Sequence, residues 1–192
     1  MSTVPSKRFV TPAEYLALEE AASSKHEYYR GEIFDMAGGS IRHNEISGNI
    51  YFRLRSALQH GRCRPYNSDQ RVKSQGPGLY TYADTFVVCG ELKTDELNAE
   101  TITNPSVIFE VLSPSTESYD RGQKFEFYQQ IDSLRDYVLV SQVEPKITHF
   151  IRADDGSWRY ELISGLEMSL VLKSIECTLR LADIYDNLSF SN

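Results

Sequence analysis

The sequence predicts a single α/β domain in which helices pack on a mixed sheet, and three observations carry that prediction. Ile46, Ile50, Leu54 and Leu58 recur every fourth residue, the apolar stripe of an amphipathic helix over 41–60. Residues 107–112 are apolar at five of six positions, as in a strand buried on both faces. Between residues 41 and 141 the segments follow the order helix, strand, strand, strand, helix, strand. At 192 residues the chain can bury one sizeable core, and with no internal repeat or linker 1–192 reads as one domain.

The elements follow in order. Residues 1–8 are polar and expected to fray. Thr11, Pro12 and Glu14 form a capping-box pattern with proline at the first helical position, which starts a helix running to residue 22. Segments 26–29 and 32–37 flank Arg30-Gly31 and predict a hairpin. Gly38-Gly39-Ser40 lacks the lysine-serine ending of a phosphate loop and reads as a turn, with Ser40 capping the 41–60 helix. Gly61 ends that helix. A strand over 66–73, a turn at 75–78 and a strand over 79–89 come next, then a polar surface loop over 90–105. The apolar strand of 106–112 is stopped by Ser113-Pro114-Ser115-Thr116, which prepares a helix over 118–131 burying Phe125, Tyr128 and Ile131. A strand over 137–141 completes that order, and strands over 146–152, 157–163 and 168–172 with a short helix over 181–187 form a C-terminal antiparallel extension.

Composition narrows the chemistry. An apolar fraction of 41% and a charged fraction of 24% are those of a soluble globular protein, and twelve Tyr with nine Phe favour sheet. Apolar runs are too short for a membrane span and no secretory pattern is present, so a cytoplasmic protein is expected. The net charge of −7 argues against loose polyanion binding through phosphate neutralisation, although bound divalent ions supply local positive charge. Arg53, Arg55, Arg62, Arg64, Arg71 and Lys73 are either a basic face or ordinary solvated surface. Cys63, Cys89 and Cys177 are odd in number and widely spaced, which predicts reduced thiols with no disulfide framework or thiolate zinc site. His26, His60 and His149 lack ligand spacing, so a histidine zinc site is not expected. Ser113 and Ser115 lack the glycines of a nucleophile elbow.

Two carboxylates stand out. Asp84 and Glu110 each lie in a segment that otherwise reads as buried strand. An ionised carboxylate there is costly unless something positive sits beside it. Alone, Asp84 reads as a turn cap or a partner of Arg71 or Lys73, and Glu110 as a buried ion pair with Lys124. Lys124 also lies four residues after Asp120, the spacing of a helix-surface pair. Together the three suit a divalent-metal phosphodiesterase. His43, three residues before Ile46, faces the apolar side, either as a core histidine or as a neighbour of metal and phosphate.

Several segments carry a resemblance: Lys25-His26-Glu27-Tyr28-Tyr29-Arg30-Gly31-Glu32-Ile33, Met36-Ala37-Gly38-Gly39-Ser40, His43-Asn44, Glu110-Val111-Leu112-Ser113-Pro114-Ser115-Thr116 and Tyr119-Asp120-Arg121-Gly122-Gln123-Lys124-Phe125. From residue 11 to 185 the chain resembles the Uma-type putative restriction endonuclease family of the PD-(D/E)xK nuclease superfamily. The resemblance implies a restriction-endonuclease-like core and a Mg²⁺-dependent endonuclease, with Mn²⁺ as substitute, acting on nucleic acid and most naturally on DNA. It implies Asp84 and Glu110 as metal ligands with the Val111 carbonyl, and Lys124 as the group that assists the attacking water. His43, Asp69, Glu27, Asp120 and Tyr128 are candidates for the surroundings of the site: Asp69 matches a recurring family aspartate and either anchors the site or satisfies a loop, Glu27 is either near the site or structural, and Tyr128 is either core or at the site mouth. A homodimer is a further expectation, since small nucleases often use two sites for two strands. Two positions depart from the family pattern. Ala83 replaces the proline before the motif aspartate, and Leu112 stands where a lysine is expected two residues after the glutamate. The lysine then comes from the following helix as Lys124. The competing expectation is a catalytically inactive protein- or DNA-interaction module in which Lys124 pairs permanently with Glu110.

Overall fold

A computed structural model describes residues 9–36, 38–74 and 78–190. The expected fraying of residues 1–8, the hairpin end at Ala37 and most of the 75–78 turn lie outside the described residues. Helix α1 (Pro12–Ala21) starts at the capping box: the Glu14 amide donates to Thr11 Oγ1 at 3.3 Å, and the Glu14 carboxylate accepts from the Thr11 amide at 2.8 Å. Strands β1 (His26–Tyr29) and β2 (Glu32–Asp35) form the hairpin, turning through Arg30 at φ 45° and Gly31 at φ 88°. Ser40 caps α2 (Ile41–Ala57) by accepting from the His43 amide at 3.0 Å.

Among the described residues fourteen strands follow one another, and twelve of them share two sheets. After α2 come β3 (Cys63–Asn67), β4 (Arg71–Lys73), β5 (Tyr80–Thr81), β6 (Thr85–Cys89), β7 (Thr94–Asp95), β8 (Asn98–Ile102) and β9 (Val107–Val111). Helices α3 (Glu117–Arg121) and α4 (Gln123–Tyr128) lead to β10 (Asp136–Val140), β11 (Lys146–Arg152), β12 (Trp158–Ser164), β13 (Ser169–Leu172), β14 (Cys177–Arg180) and α5 (Leu181–Ile184). The central sheet has the order β12-β11-β10-β9-β6-β3 and is mixed, with β9 and β10 parallel and the other pairs antiparallel. The second sheet has the order β2-β1-β5-β4-β8-β7. Ile46, Ile50 and Leu54 of α2 pack on one face of the central sheet beside Leu170, Leu179 and Ile184 of the C-terminal elements. Phe125 and Tyr128 of α4 pack on the other face beside Val72 and Ile102 of the second sheet. Tyr15, Leu16, Tyr28 and Tyr80 form a third cluster under α1. Among the described residues no helix is long and apolar enough to cross a membrane.

The mixed α/β architecture is the expected one, and four local expectations are corrected. The segments 66–73 and 79–89 are not single strands. Each breaks between the two sheets, β3 and β6 joining the central sheet and β4 and β5 the other. The polar segment 90–105 contains β7 and β8, because its polar groups have partners inside the second sheet: Asp95 accepts from Lys73 Nζ at 2.6 Å and from Tyr80 OH at 2.7 Å. The helix expected over 118–131 is two short helices broken at Gly122, whose φ of −111° and ψ of −103° are not helical. Cys63 and Cys89 are linked by a disulfide, since the β3–β6 register sets them opposite one another with Cα atoms 4.0 Å apart. A sequence separation of 26 residues conceals that pairing, and Cys177 alone is a free buried thiol among the described residues.

Three of the six residues of the basic stretch are engaged in contacts of their own. Arg71 is buried, donating to Thr101 Oγ1 at 2.9 Å and to Tyr82 OH and Asn98 Oδ1 at 3.3 Å. Lys73 turns to Asp95, and Arg53 lies 3.4 Å from Asp183.

Asp95 ties β4, β5 and β7 together. Its burial works against ionisation, but the Lys73 ammonium and the Tyr80 hydroxyl prevail and hold its carboxyl below the usual range. A depressed folded-state pKa stabilises the fold above the ordinary aspartate range and is lost as pH falls through the folded value. Asp95→Asn is therefore expected to cost about 1–3 kcal/mol at neutral pH in urea unfolding. The gap from the parent chain should close as the pH is lowered to about 3.

Candidate active site

Alternation along β9 sorts its side chains. Val107, Phe109 and Val111 belong to the core on the α2 side, and Ile108 and Leu112 to the core on the α4 side. Glu110 therefore points toward α4, and only 4% of it is exposed. In β6, Phe86 and Val88 share the α4 side, and Asp84 precedes them in the same alternation. Thr85 pairs with Phe109, so one further step of the register sets Asp84 opposite Glu110 on one face.

Asp84 is not inside a strand, as the apolar run around it predicts. It sits on the bend where the chain leaves β5 in one sheet and enters β6 in the other. Its Oδ2 accepts from the Val111 amide at 2.7 Å and lies 3.1 Å from His43 Nε2. The capped first turn of α2 thus delivers His43, and the end of β9 delivers the amide. Val111 accordingly enters the site through its N–H.

Lys124 is the centre of the remaining cluster. Its Nζ is 3.0 Å from Glu110 Oε1, 3.4 Å from Glu27 Oε1 and 3.7 Å from Asp120 Oδ1. Tyr128, one turn further along α4, donates to Glu110 Oε1 at 2.9 Å. Glu27 reaches in from β1 and is held by the Thr81 hydroxyl and by Tyr119 OH at 3.2 Å. The Asp120 backbone carbonyl accepts from Tyr137 OH at 2.8 Å. Of the residues anticipated from sequence, Asp84, Glu110, Lys124, Val111, His43, Glu27, Asp120 and Tyr128 converge. Asp69 does not: it lies in the turn after β3, 2.6 Å from Lys25, with its side chain 77% exposed. Thr81 and Tyr119 were not anticipated. Tyr119 lies within a family-like segment, but nothing in its spacing announces Glu27 as its partner.

Electrostatics follow from the count of charges. Among the described residues four carboxylates, Asp84, Glu110, Glu27 and Asp120, gather with one ammonium and one imidazole in a largely buried region. Burial pushes Glu110 up to about 8, against the pull of Lys124 and with the repulsion of Asp84 and Asp120 added. Burial likewise raises Asp120, again opposed by Lys124. Burial disfavours the Lys124 ammonium, yet Glu110, Tyr128, Glu27 and Asp120 outweigh it and hold its pKa well above the usual lysine value. The hydrogen bond to Asp84 raises His43, and burial only partly offsets it. The site thus carries surplus negative charge that protons or a cation must balance.

The donor set suits a hard divalent ion. Asp84 Oδ1 and Glu110 Oε2 accept no hydrogen bond among the described residues, so each carboxylate keeps one oxygen for coordination. Among the described residues no three His, Cys, Asp or Glu side chains gather as a complete metal cage. Mg²⁺ does not ask for one, because it binds through one or two carboxylates and completes its octahedron with water and phosphate.

A family model described as Uma2, putative restriction endonuclease, matches residues 12–182. The chain belongs to the Uma2 family. Its family assignment is that of a nuclease of restriction-endonuclease type. Two relatives come from Synechocystis sp.: the uncharacterized protein slr1290 is 40% identical over 97% of both chains. The uncharacterized protein sll1609 is 35% identical over 86% of this chain and 93% of its own. The solved structure of a putative nuclease belonging to DUF820, from Anabaena variabilis, superposes with a TM-score of 0.75 over 91% of this chain and 97% of its own. At 17% identity that likeness concerns the fold.

Removing the ammonium should expose the imbalance. Lys124→Met is expected to cost about 3–5 kcal/mol in urea unfolding at neutral pH, because buried carboxylates lose their compensating charge. The loss should shrink as the pH is lowered and protons take over the neutralising role.

Proposed function

We propose that the chain is a Mg²⁺-dependent endonuclease, served also by Mn²⁺, that hydrolyses phosphodiester bonds in DNA. The reading is supported above all by two carboxylates on one sheet face, each with an uncommitted oxygen, beside a buried lysine. Asp84, Glu110 and the Val111 carbonyl would hold the ion. When bound, such an ion polarises the phosphate and makes water a competent nucleophile at neutral pH. The Val111 amide and His43 fix the Asp84 carboxylate, and Tyr128 fixes that of Glu110. Lys124 orients the attacking water and stabilises charge developing on the phosphate. Because Glu27 and Asp120 also compensate it, Lys124 can give up Glu110 without losing its charge. A cytoplasmic homodimer with one site per strand belongs to the same reading.

The 3.0 Å contact between Lys124 and Glu110 favours a second reading, in which this ion pair is permanent and the fold serves as an interaction module. The two part on metal. As a nuclease, the chain nicks supercoiled plasmid and cleaves single-stranded DNA with Mg²⁺ or Mn²⁺, and Glu110→Ala lowers the rate by about 100-fold or more. Calorimetry detects Mn²⁺ binding that disappears in Asp84→Asn. Cleavage that survives Glu110→Ala defeats this assignment of the site, and no Mn²⁺ binding at about 1 mM supports the second reading.

A further inference from the structure

Among the described residues, strand β12 is an edge of the central sheet and pairs only with β11. Its backbone polarity can be read from the ends of that hairpin. The Ala153 amide donates to the Ser157 carbonyl at 2.8 Å, and the Gly165 amide to the Pro145 carbonyl at 2.9 Å. Both contacts belong to the β11–β12 register, in which hydrogen-bonded pairs alternate with unbonded ones. Arg159, Glu161 and Ile163 therefore bond inward to β11. The amides and carbonyls of Trp158, Tyr160, Leu162 and Ser164 point outward from the sheet.

The opposite edge is protected and this one is not. In β3 the Gly90 amide donates to the Arg62 carbonyl at 3.0 Å, which makes the Cys63, Pro65 and Asn67 backbones the outward ones. Pro65 has no amide to offer and interrupts that edge. Strand β12 carries neither proline nor lysine over its seven residues. Tyr160 and Leu162 are 64% and 60% exposed, and they extend the aromatic face of Phe125, Phe150 and Trp158. Such an edge is a template for another strand.

Charge selects the strand. We propose that two copies of the chain join through β12, antiparallel about a twofold axis at Tyr160, so that their central sheets become one. That register uses the outward groups of Trp158, Tyr160 and Leu162, with Tyr160 opposite its own copy and Trp158 opposite Leu162. Arg159 and Glu161 then face one another twice, in the closer unbonded pairs. Arg159 makes no ion pair among the described residues. Glu161 lies 3.1 Å from His149 Nδ1, with its side chain 45% exposed. A shift of the register by two residues either way sets Arg159 opposite Arg159 or Glu161 opposite Glu161, which is repulsive. The strand is self-complementary in one alignment, as an isologous contact requires. Nothing in this pairing depends on the nuclease chemistry.

Sedimentation velocity of the full chain tests it. The chain should sediment as a dimer, and Arg159→Glu should weaken dimerisation on the order of tenfold. Glu161→Arg should do the same, while an equimolar mixture of the two variants should recover a heterodimer with both charge pairs restored. Tyr160→Pro, which removes a donor pointing away from β11, should give a monomer with an unchanged far-ultraviolet circular dichroism spectrum. A parent chain that stays monomeric at about 100 µM overturns the proposal. So does a dimer as tight in Arg159→Glu as in the parent, or a folded Tyr160→Pro variant that still dimerises.

Discussion

The ammonium of Lys124 touches carboxylates delivered by three different elements: Glu27 on β1, Glu110 on β9 and Asp120 on α3. Strands β1 and β9 belong to different sheets. One buried cation therefore links the two sheets and the broken helix above them, at a point where apolar packing alone would leave three acids without compensation. Such a link is stabilising only relative to its own disruption, since apolar residues of like volume would often serve as well. The link is thus a weak source of net stability. The same geometry that makes the lysine structural also holds it charged beside Glu110, whose Oε2 accepts no hydrogen bond among the described residues.

The chain reaches this arrangement by crossing between its sheets. It passes from β3 to β4 and back from β5 to β6, and the second crossing deposits Asp84 on a bend. A bend allows what a strand interior would not. The Asp84 side chain can turn to the Val111 amide at the end of β9 while its backbone is free of ladder duties. On the other side, the break at Gly122 ends α3 and re-aims the first turn of α4, so that Lys124 and Tyr128 both meet Glu110. An added Cβ at Gly122 would come within 3.1 Å of the Ser118 carbonyl oxygen, so the break leaves little room for a side chain.

How much of this was legible depends on the range of the interaction. Glu110 was readable because five apolar neighbours in six positions leave a carboxylate conspicuous. The α2 stripe and the capping box at Thr11 were readable because helix periodicity and caps are local. The split of 79–89 into β5 and β6 was not, since a strand that changes sheets keeps its β propensity throughout. Strands β7 and β8 were hidden by polar composition, and only the partners that Lys73, Tyr80 and Arg71 supply make Asp95 and Asn98 welcome in a sheet. The Cys63–Cys89 link was invisible for the same reason: strand register, not spacing, brings the thiols together. For the site, residue types were legible and the supporting contacts of Thr81 and Tyr119 were not, because they are long-range hydrogen bonds without a periodic signature.

The acidic character of the chain also changes meaning once its location is known. A net charge of −7 would repel a polyanion if it were spread over the surface. Part of it is instead concentrated in the Asp84, Glu110, Glu27 and Asp120 group, where Glu110 and Asp120 are almost wholly buried. Charge buried in that way is felt mainly by groups inside the site, and a divalent ion held there would reverse its local sign. Acidity at this point is then a condition for recruiting a cation that a phosphate can approach. Arg71 and Lys73 are committed to partners inside the second sheet, so their charge is not offered to a polyanion at the surface.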